Sequence, residues 1–263
     1  MSGTQIKLDN GAVATGVVVL DKSGNVSGIS PANMRVSVLG KCVTITTVLR
    51  TLWDGPTALY VPPATPIQMQ IVSTDAADTA AGTGIHKVQI DYLDTNYIQK
   101  SEILTLNGVT AVNTTATNIL RVNDMYAIEV GTGRVGAGTI SLQAVGGAVT
   151  YSLLSIGRNR ARIGIYTVPA GYQFNIDLWE RSSASTSSIY ALMSLLATAN
   201  NGILYPSALI PIDEQILVNS NGVVNYLNPL IFPAKTDISL AVVGSSATAI
   251  SGNGALYGNL QAV

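Results

Sequence analysis

Short runs of β-type residues, separated by turn residues, recur along the chain from residue 43 onward. In Val88-Gln-Ile-Asp-Tyr92, the side chains of Val88, Ile90 and Tyr92 share one face of an extended segment, and Gln89 and Asp91 share the other. No run keeps a period of 3.6 residues. The pattern therefore predicts an all-β chain, with clear strands at Val43–Leu49, Ile67–Val72, Lys87–Tyr92, Glu102–Leu106, Ile119–Val130, Thr139–Ala144, Ala161–Thr167, Tyr172–Trp179, Val223–Leu227, Thr236–Val243 and Ala255–Leu260.

Two kinds of segment refine this prediction. Ile189–Ala199 is rich in Ala, Leu and Met, which favour helices, but it follows the linker-like run Ser182–Ser188, and we interpret it as a strand. Asn107-Gly108 and Asn221-Gly222 fall between runs, where tight hairpin turns need positive φ angles. Both dipeptides are therefore predicted to be turns.

The first 40 residues differ from the rest, because they contain six glycines and only short apolar runs such as Val17–Leu20 and Arg35–Leu39. This is too little apolar material for a separate core. We predict that residues 1–42 form an N-terminal arm laid on a neighbour, or alternatively a peripheral hairpin of the same domain.

The remaining chain contains an internal echo. Tyr60-Val-Pro-Pro-Ala64 and Tyr166-Thr-Val-Pro-Ala-Gly171 each lead into an alternating strand, and proline suits a strand entry because it has no N–H to donate. The echo predicts two β-modules, residues 43–157 and residues 158–263. Coincidence between common strand openings is the alternative, in which case the two parts form one continuous β domain.

Composition narrows the function. The chain has 14 Lys and Arg, 15 Asp and Glu, one histidine and one cysteine in 263 residues. Enzymes need side chains that titrate near neutral pH or bind metals, so this scarcity predicts a protein that works through shape and surface, without a catalytic site, cofactor or metal. The lone Cys42 is interpreted as a small core residue. An apolar, weakly charged surface also favours association with other copies or with a partner.

Membrane and nucleic-acid partners are not indicated. The longest nearly apolar stretch is Ile189–Ala199, whereas a spanning helix needs about 20 residues. The first ten residues lack the basic and then apolar pattern of a signal peptide. With a net charge of −1, the chain has no excess of basic residues that would bind nucleic acid.

Several motifs have ordinary structural explanations. Gly131-Thr-Gly-Arg-Val-Gly136 matches a dinucleotide fingerprint, but a strand rather than a helix is predicted to follow it. Asp75 and Asp78 precede a glycine loop and lack the dense acids of a calcium loop, so a solvated loop in which they cap local backbone amides is favoured over a calcium site. Asp91, Asp94 and Glu102 are close in sequence without any unusual feature, and His86 has no cysteine or second histidine for zinc.

The densest charge in the chain is Arg158-Asn-Arg160-Ala-Arg162. On a strand, the three arginines would line one face, and guanidinium groups bind carboxylates well. We predict Arg158, Arg160 and Arg162 as partner contacts that dock on an acidic neighbour, with an ordinary solvated sheet face as the alternative.

Seven strings, in a consistent order over about four fifths of the chain, resemble a family of β-rich virion structural proteins of tailed bacteriophages. The strings are Ser73–Gly84, Val88–Asp94, Glu102–Gly108, Arg121–Tyr126, Val135–Ile140, Tyr166–Gly171 and Phe232–Ile238. Two features depart from the expected pattern: Ala234 occupies a position that is usually acidic, and the arginine run is richer. The resemblance implies a capsid decoration or other accessory virion protein, and it carries no catalytic residues to transfer.

The leading hypothesis is a capsid decoration (cement) protein. It would be a jelly-roll-like antiparallel β-sandwich and a homotrimer, made in the host bacterial cytoplasm and bound to the outside of a phage head, where it stabilises contacts of the major capsid protein. The alternative is a tail, neck or head-fibre component that binds the host surface. A third hypothesis, a glycan hydrolase, requires two carboxylates in a cleft.

Overall fold

The computed structural model describes residues 6–7, 13–14, 33–56, 58–184, 189–198, 208–246 and 250–263. These residues contain no helix, and every pair of neighbouring strands is antiparallel. The prediction of an all-β, antiparallel fold is confirmed. The strands are β1 Ile6–Lys7, β2 Val13–Ala14, β3 Asn33–Ile45, β4 Arg50–Thr51, β5 Met69–Ser73, β6 Ile85–Leu93, β7 Gln99–Thr105, β8 Val112–Asn113, β9 Arg121–Val130, β10 Ile140–Ala144, β11 Thr150–Leu154, β12 Ile165–Thr167, β13 Tyr172–Ala184, β14 Ala191–Thr198, β15 Leu209–Leu217, β16 Asn221–Phe232, β17 Asp237–Gly244 and β18 Ile250–Ala262.

Two sheets enclose the first hydrophobic core. One has the strand order β16-β13-β18-β3, and the other has the order β12-β17-β14-β15, with β4 also paired to β17. Apolar side chains alternate along β13 and β18, so that Phe174, Trp179 and Leu256 from the first sheet meet Leu195 and Leu240 from the second. We call this sandwich, built from the described residues of 33–52 and 164–263, the terminal unit.

The second core lies between two smaller sheets with the strand orders β11-β10-β5-β8 and β7-β6-β9. Val88 and Ile90 of β6 pack with Ile71 of β5 and Leu142 of β10, as the alternation in the sequence predicts. This sandwich is built from the described residues of 53–163, and we call it the inserted unit. β1 and β2 form a separate two-stranded pair.

The inserted unit interrupts one strand of the terminal unit. β4 and β12 lie end to end along the same side of β17, with Thr51 opposite Ala241 and Ile165 opposite Ser239. Between them, the Leu52 N–H donates to the Leu240 carbonyl oxygen (2.8 Å), and the Leu240 N–H donates to the Gly164 carbonyl oxygen (2.7 Å). Leu52 and Gly164 thus share the ladder position that a single residue of a continuous strand would fill.

Two glycines make this crossing possible. Gly164 has a φ of +59°, and a Cβ atom there would collide with the Leu52 carbonyl oxygen. Gly40 of β3 lies against the same point, where a Cβ would be 2.7 Å from that oxygen and 3.0 Å from the Gly164 Cα. The backbones approach so closely that neither position accommodates a side chain without movement of the chain.

The strand predictions hold for most elements, with instructive differences. β14 confirms that the ambiguous segment is extended; it is one of the two interior strands of its sheet and is buried along most of its length, which explains its continuous apolar run. The strand predicted at Val43–Leu49 is wrong beyond Ile45, because the chain turns at Thr46–Leu49 before β4. β11 and β15 were not predicted, since their polar and apolar residues do not alternate over a long enough run.

The two predicted Asn-Gly turns differ in outcome. Gly108 has a φ of +59°, as a turn requires, but the turn predicted at Asn221-Gly222 is wrong. The bend lies at Asn219, with a φ of +41°, and Gly222 is part of β16. A Cβ at Gly222 would lie 2.7 Å from the end of the flexible Gln215 side chain, which would have to shift to make room for it.

Most of the predicted N-terminal arm, including Val17–Leu20, lies outside the described residues. β3 runs across the predicted end of the arm at residue 42 and pairs with the C-terminal strand β18. Cys42 is completely buried in the core of the terminal unit, as predicted. The division into modules at 43–157 and 158–263 stays a prediction.

Replacing Gly164 with alanine is expected to destabilise the protein by at least about 2 kcal/mol, because the Cβ meets both an unfavourable φ and the Leu52 carbonyl oxygen. The matched control is Gly157→Ala, at a φ of +73° with open space around the Cβ position. It should cost only the backbone strain, about 1 kcal/mol. Urea denaturation of both variants checks this; equal losses would show that the close approach at Gly164 does not matter.

Candidate functional site

The three predicted contact arginines lie on the segment that returns from the inserted unit to the terminal unit. Residues 158–162 are not a regular strand: Arg160 makes an isolated bridge to Tyr126, and Ile163 makes another to Gly40. The expectation that a strand would align all three side chains on one face is therefore wrong in its geometry. Whether these residues contact a partner stays a prediction.

Arg160 is held between the two units. Its Nε and Nη2 atoms donate to the Asp124 carboxylate of β9, with a shortest distance of 2.6 Å. Its Nη1 and Nη2 atoms also donate to the hydroxyl and carbonyl oxygens of Ser37 on β3 (3.2 and 3.1 Å). The guanidinium thus connects the inserted unit to an edge strand of the terminal unit.

Arg162 is also paired within the chain. Its Nη2 atom lies 3.2 Å from Asp54 Oδ2, which accepts a further hydrogen bond from the Ser155 hydroxyl (2.5 Å). Arg158 differs from both, because it is exposed and its side chain has no hydrogen-bond or ion-pair partner among the described residues. Of the three arginines predicted to contact a partner, Arg158 is therefore the one whose charge is not paired with a carboxylate of the described residues.

A cleft of about 330 Å³ opens beside Arg160, between β3 and the sheet of β6 and β9. Asp91 and Asp124 face each other there across the two strands, and burial together with the neighbouring Asp124 charge raises the pKa of Asp91, although Gln89 and Arg160 oppose the shift. This is the kind of carboxylate pair that the hydrolase hypothesis requires. However, the Asp124 carboxylate already accepts hydrogen bonds from the Arg160 guanidinium. This ion pair favours a role for Asp124 in holding the units together.

Asp78 organises the glycine-rich loops of the inserted unit. Its fully buried carboxylate accepts hydrogen bonds from the Ser73 hydroxyl (2.6 Å) and from the backbone N–H groups of Ile85 (2.8 Å), Ala137 (3.0 Å) and Gly138 (2.8 Å). Burial raises the pKa of Asp78, but these four donors outweigh it, so that the net shift is downward. The predicted capping of backbone amides is thus confirmed for Asp78, but the predicted solvated and local setting is wrong, because the carboxylate is buried and also binds the distant loop at Ala137 and Gly138.

The other motifs also serve local structure. The Gly131–Gly136 run is a loop, in which the Gly131 N–H donates to the Gly84 carbonyl oxygen (2.6 Å) and no helix follows. Asp94 accepts from the backbone of its own turn, and Glu102 accepts from the N–H groups of Thr115 and Ala116. Within the described part of the chain, no group of three or more His, Cys, Asp or Glu side chains is placed to hold a metal ion.

A buried ion pair joins the two units on the side of β12. Arg121 of β9, only 2% exposed, donates from Nε and Nη2 to the Asp237 carboxylate of β17 (2.9 and 3.0 Å). The Thr167 hydroxyl donates to the same carboxylate (2.6 Å). Sequence reasoning did not single out Arg121; the available signal was that it is the only cation in the strand Arg121–Val130.

Comparisons with known proteins do not assign this chain to a family. No family model matches it, and no curated protein matches it. Among solved structures, a chain from the structure of the infectious bursal disease virus Gx strain matches 89% of this chain and 74% of its own length, with 10% identity and a TM-score of 0.23. Similarity at that level carries no argument about fold or function. No helix of the described residues is long and apolar enough to cross a membrane.

Asp78→Asn is expected to destabilise the protein by about 2–4 kcal/mol, because an amide cannot accept hydrogen bonds from all four donors. Since the folded-state pKa of Asp78 is lowered, its contribution is fully present above the unfolded pKa of about 3.9 and is lost as the pH falls through the folded value. Unfolding curves at pH 7 and at lower pH check both points.

Asp75→Asn is the control, since Asp75 is exposed and caps a single backbone N–H, that of Ala77 (2.8 Å). It should change the free energy of unfolding by less than about 1 kcal/mol. If the two variants were equally stable, the role given to Asp78 would be wrong.

Proposed function

We propose that this chain is a non-enzymatic virion structural protein that decorates the outside of a phage head and stabilises contacts of the major capsid protein. The observation that carries the proposal is the strand order of the terminal unit. An eight-stranded jelly roll, a fold common in viral capsid proteins, has its first, eighth, third and sixth strands in one sheet. Its second, seventh, fourth and fifth strands form the other.

The terminal unit fits this order if β4 and β12 count together as the second strand. The sheet β3-β18-β13-β16 then contains the first, eighth, third and sixth strands. The facing sheet, in the order β12-β17-β14-β15, contains the second, seventh, fourth and fifth. We therefore propose a jelly roll whose second strand is interrupted by the inserted unit. This strand order supports the proposal at the level of fold. The assignment to a phage virion is supported by the ordered sequence strings that resemble phage virion proteins.

The distribution of charge supports a passive role. Arg121, Arg160 and Arg162 are committed to carboxylates within the chain, and the buried Asp78 binds backbone amides. The contacts of Arg121 with Asp237 and of Arg160 with Ser37 fix one unit against the other, and those of Arg162 and Asp78 hold the inserted unit together, as a protein under mechanical load requires. We propose that the protein associates as a homotrimer and uses the uncommitted Arg158 in its contact with the capsid.

Arg158→Glu is expected to weaken rebinding of the purified protein to heads stripped of it by about tenfold or more, because a favourable rim charge becomes repulsive. Stability should change by less than about 0.5 kcal/mol, since Arg158 has no partner within the described part of the chain. Cosedimentation with expanded heads measures the binding.

Lys100→Glu is the matched control, because Lys100 is an exposed cation on β7 of the inserted unit. It should bind heads like the unaltered protein. Failure of the unaltered protein to bind heads, together with binding to tails, would contradict the decoration role.

A second candidate function is host-surface recognition by a tail, neck or head-fibre component. The observation that favours it is a groove of about 420 Å³ on the outer face of the β3-β18-β13-β16 sheet. Arg162, Glu180, Asn221 and Asn253 line this groove and offer the donors and acceptors that sugar hydroxyls need. Binding of the protein to host cells, lost on Asn253→Ala without loss of head binding, would support it.

The cleft with Asp91 and Asp124 allows a direct test of the non-enzymatic proposal. We expect no release of reducing sugars from host envelope glycans, because Arg160 holds Asp124 in an ion pair. Hydrolysis that Asp91→Asn abolishes would show instead that the carboxylate pair is catalytic.

A further inference from the structure

One side of β3 is unpaired along the first half of the strand. β3 ends its sheet, and β18 is its partner on the other side. A second neighbour reaches β3 only at Leu39 and Gly40, where the Gly164 N–H donates to the Leu39 carbonyl oxygen (2.8 Å) and Ile163 bridges to Gly40. Among the described residues, no strand is paired with this side of residues 33–38.

The backbone groups on this side can be identified from the ladder. In an antiparallel pair, alternate residues direct both N–H and C=O to the same side. The bond from Gly164 to Leu39 therefore shows that the odd-numbered residues of β3 point away from β18. Ser37 agrees, because its carbonyl oxygen accepts from Arg160 Nη2 (3.1 Å). Within the described part of the chain, the N–H groups of Arg35 and Ser37 and the Arg35 carbonyl oxygen have no backbone partner.

This unpaired edge is one wall of the cleft of about 330 Å³ that opens beside Arg160. The opposite wall belongs to the inserted unit and is polar, with the side chains of Asp91, Gln99, Asn123 and Asp124. The side chain of Met34, which is 40% exposed, gives the cleft an apolar part. An extended segment in this cleft would find backbone donors and an acceptor on one side and polar side chains on the other, as in recognition by strand addition.

The charges of the cleft indicate the chemistry of its occupant. Arg160 donates to Asp124, and Arg35 is paired with Asp177 on the outer face of the sheet (2.9 Å). Asp91 faces Asp124 across the two strands and is in an ion pair with no cation of the described residues. A cation beside Asp91 would offset the repulsion between these two carboxylates. The cleft is therefore complementary to a positively charged side chain.

We propose that the β3 slot, defined by Arg35 and Ser37 on β3 and by Asp91 on β6, binds an extended segment of a partner protein that carries a lysine or arginine. The segment adds as a strand beside Arg35 and Ser37, its cation pairs with Asp91, and an adjacent apolar side chain contacts Met34. Proline does not fit the paired positions, because it has no N–H to donate to the Arg35 carbonyl oxygen. This binding site does not depend on the decoration role.

The test is an NMR titration of the backbone N–H signals of the full chain with the peptide acetyl-Thr-Val-Lys-Val-Thr-amide at neutral pH. The signals of Arg35 and Ser37 should shift with a dissociation constant of about 1 mM or lower, and hydrogen exchange of these two N–H groups should slow. Replacing the lysine of the peptide with glutamate should weaken binding about tenfold or more. Methylating the two valine nitrogens, which removes donors and keeps the side chains, should also weaken it about tenfold or more.

Asp91→Asn should weaken binding of the lysine peptide about tenfold, with the fold kept, because asparagine can still accept the hydrogen bond from the Gln89 amide (2.8 Å). Asp75→Asn is the matched control, since Asp75 is exposed and does not line the cleft. It should bind the peptide like the unaltered protein.

Three results would overturn the proposal. They are no shift of Arg35 and Ser37 with the lysine peptide, equal binding of the lysine and glutamate peptides, and equal effects of Asp91→Asn and Asp75→Asn. Slow hydrogen exchange of both N–H groups before any peptide is added would also overturn it and show that another part of this chain fills the slot. Head binding is measured separately, so its failure does not affect this result.

Discussion

The architecture depends on one shared position in a β-ladder. Leu52 offers its N–H and Gly164 offers its carbonyl oxygen to the two backbone groups of Leu240, so the ladder remains satisfied although the chain leaves it for more than a hundred residues. An unpaired backbone group at this buried place would be costly. The backbones can meet there only because Gly164 and Gly40 have no side chains. The positions of both sandwiches follow from this meeting of chains.

Polar contacts fix the orientation of the two sandwiches around that point. Arg160 connects Asp124 to Ser37 on one side, and Arg121 connects to Asp237 and Thr167 on another. Both ion pairs join residues far apart in sequence, and the pair of Arg121 is largely buried. Breaking a buried pair by removing one partner is far more costly than the pair itself is stabilising. Two of the scarce charged side chains, Arg121 and Arg160, are thus placed where the two units meet.

Sequence patterns predicted the local structure better than the partnerships between segments. Alternation identified β6 and β9, and the apolar run of β14 was assigned correctly because a short apolar segment after a polar linker suits a central strand. The pairing of β3 with β18 was not predictable, since it joins residues more than two hundred positions apart and leaves no local signal. The ion pairs of Arg160 with Asp124 and of Arg162 with Asp54 also form between segments that are distant in sequence. The sequence alone therefore could not show which of the three arginines are paired within the chain and which are available to a partner.

The adjacency of Leu52 and Gly164 has a kinetic consequence for folding. All strands of the inserted unit are continuous in sequence, so this unit can fold as soon as it has been synthesised, before β13 to β18 exist. Once folded, the inserted unit holds Leu52 and Gly164 close together. The flexible loop between β4 and β12 is then replaced by a short, fixed connection. The entropy cost of pairing β3 with strands made last is then reduced, because loop closure depends on the length of flexible chain that remains. The inserted sandwich thus acts as an internal template that brings the first part of the outer sandwich to the place where the last part will complete it.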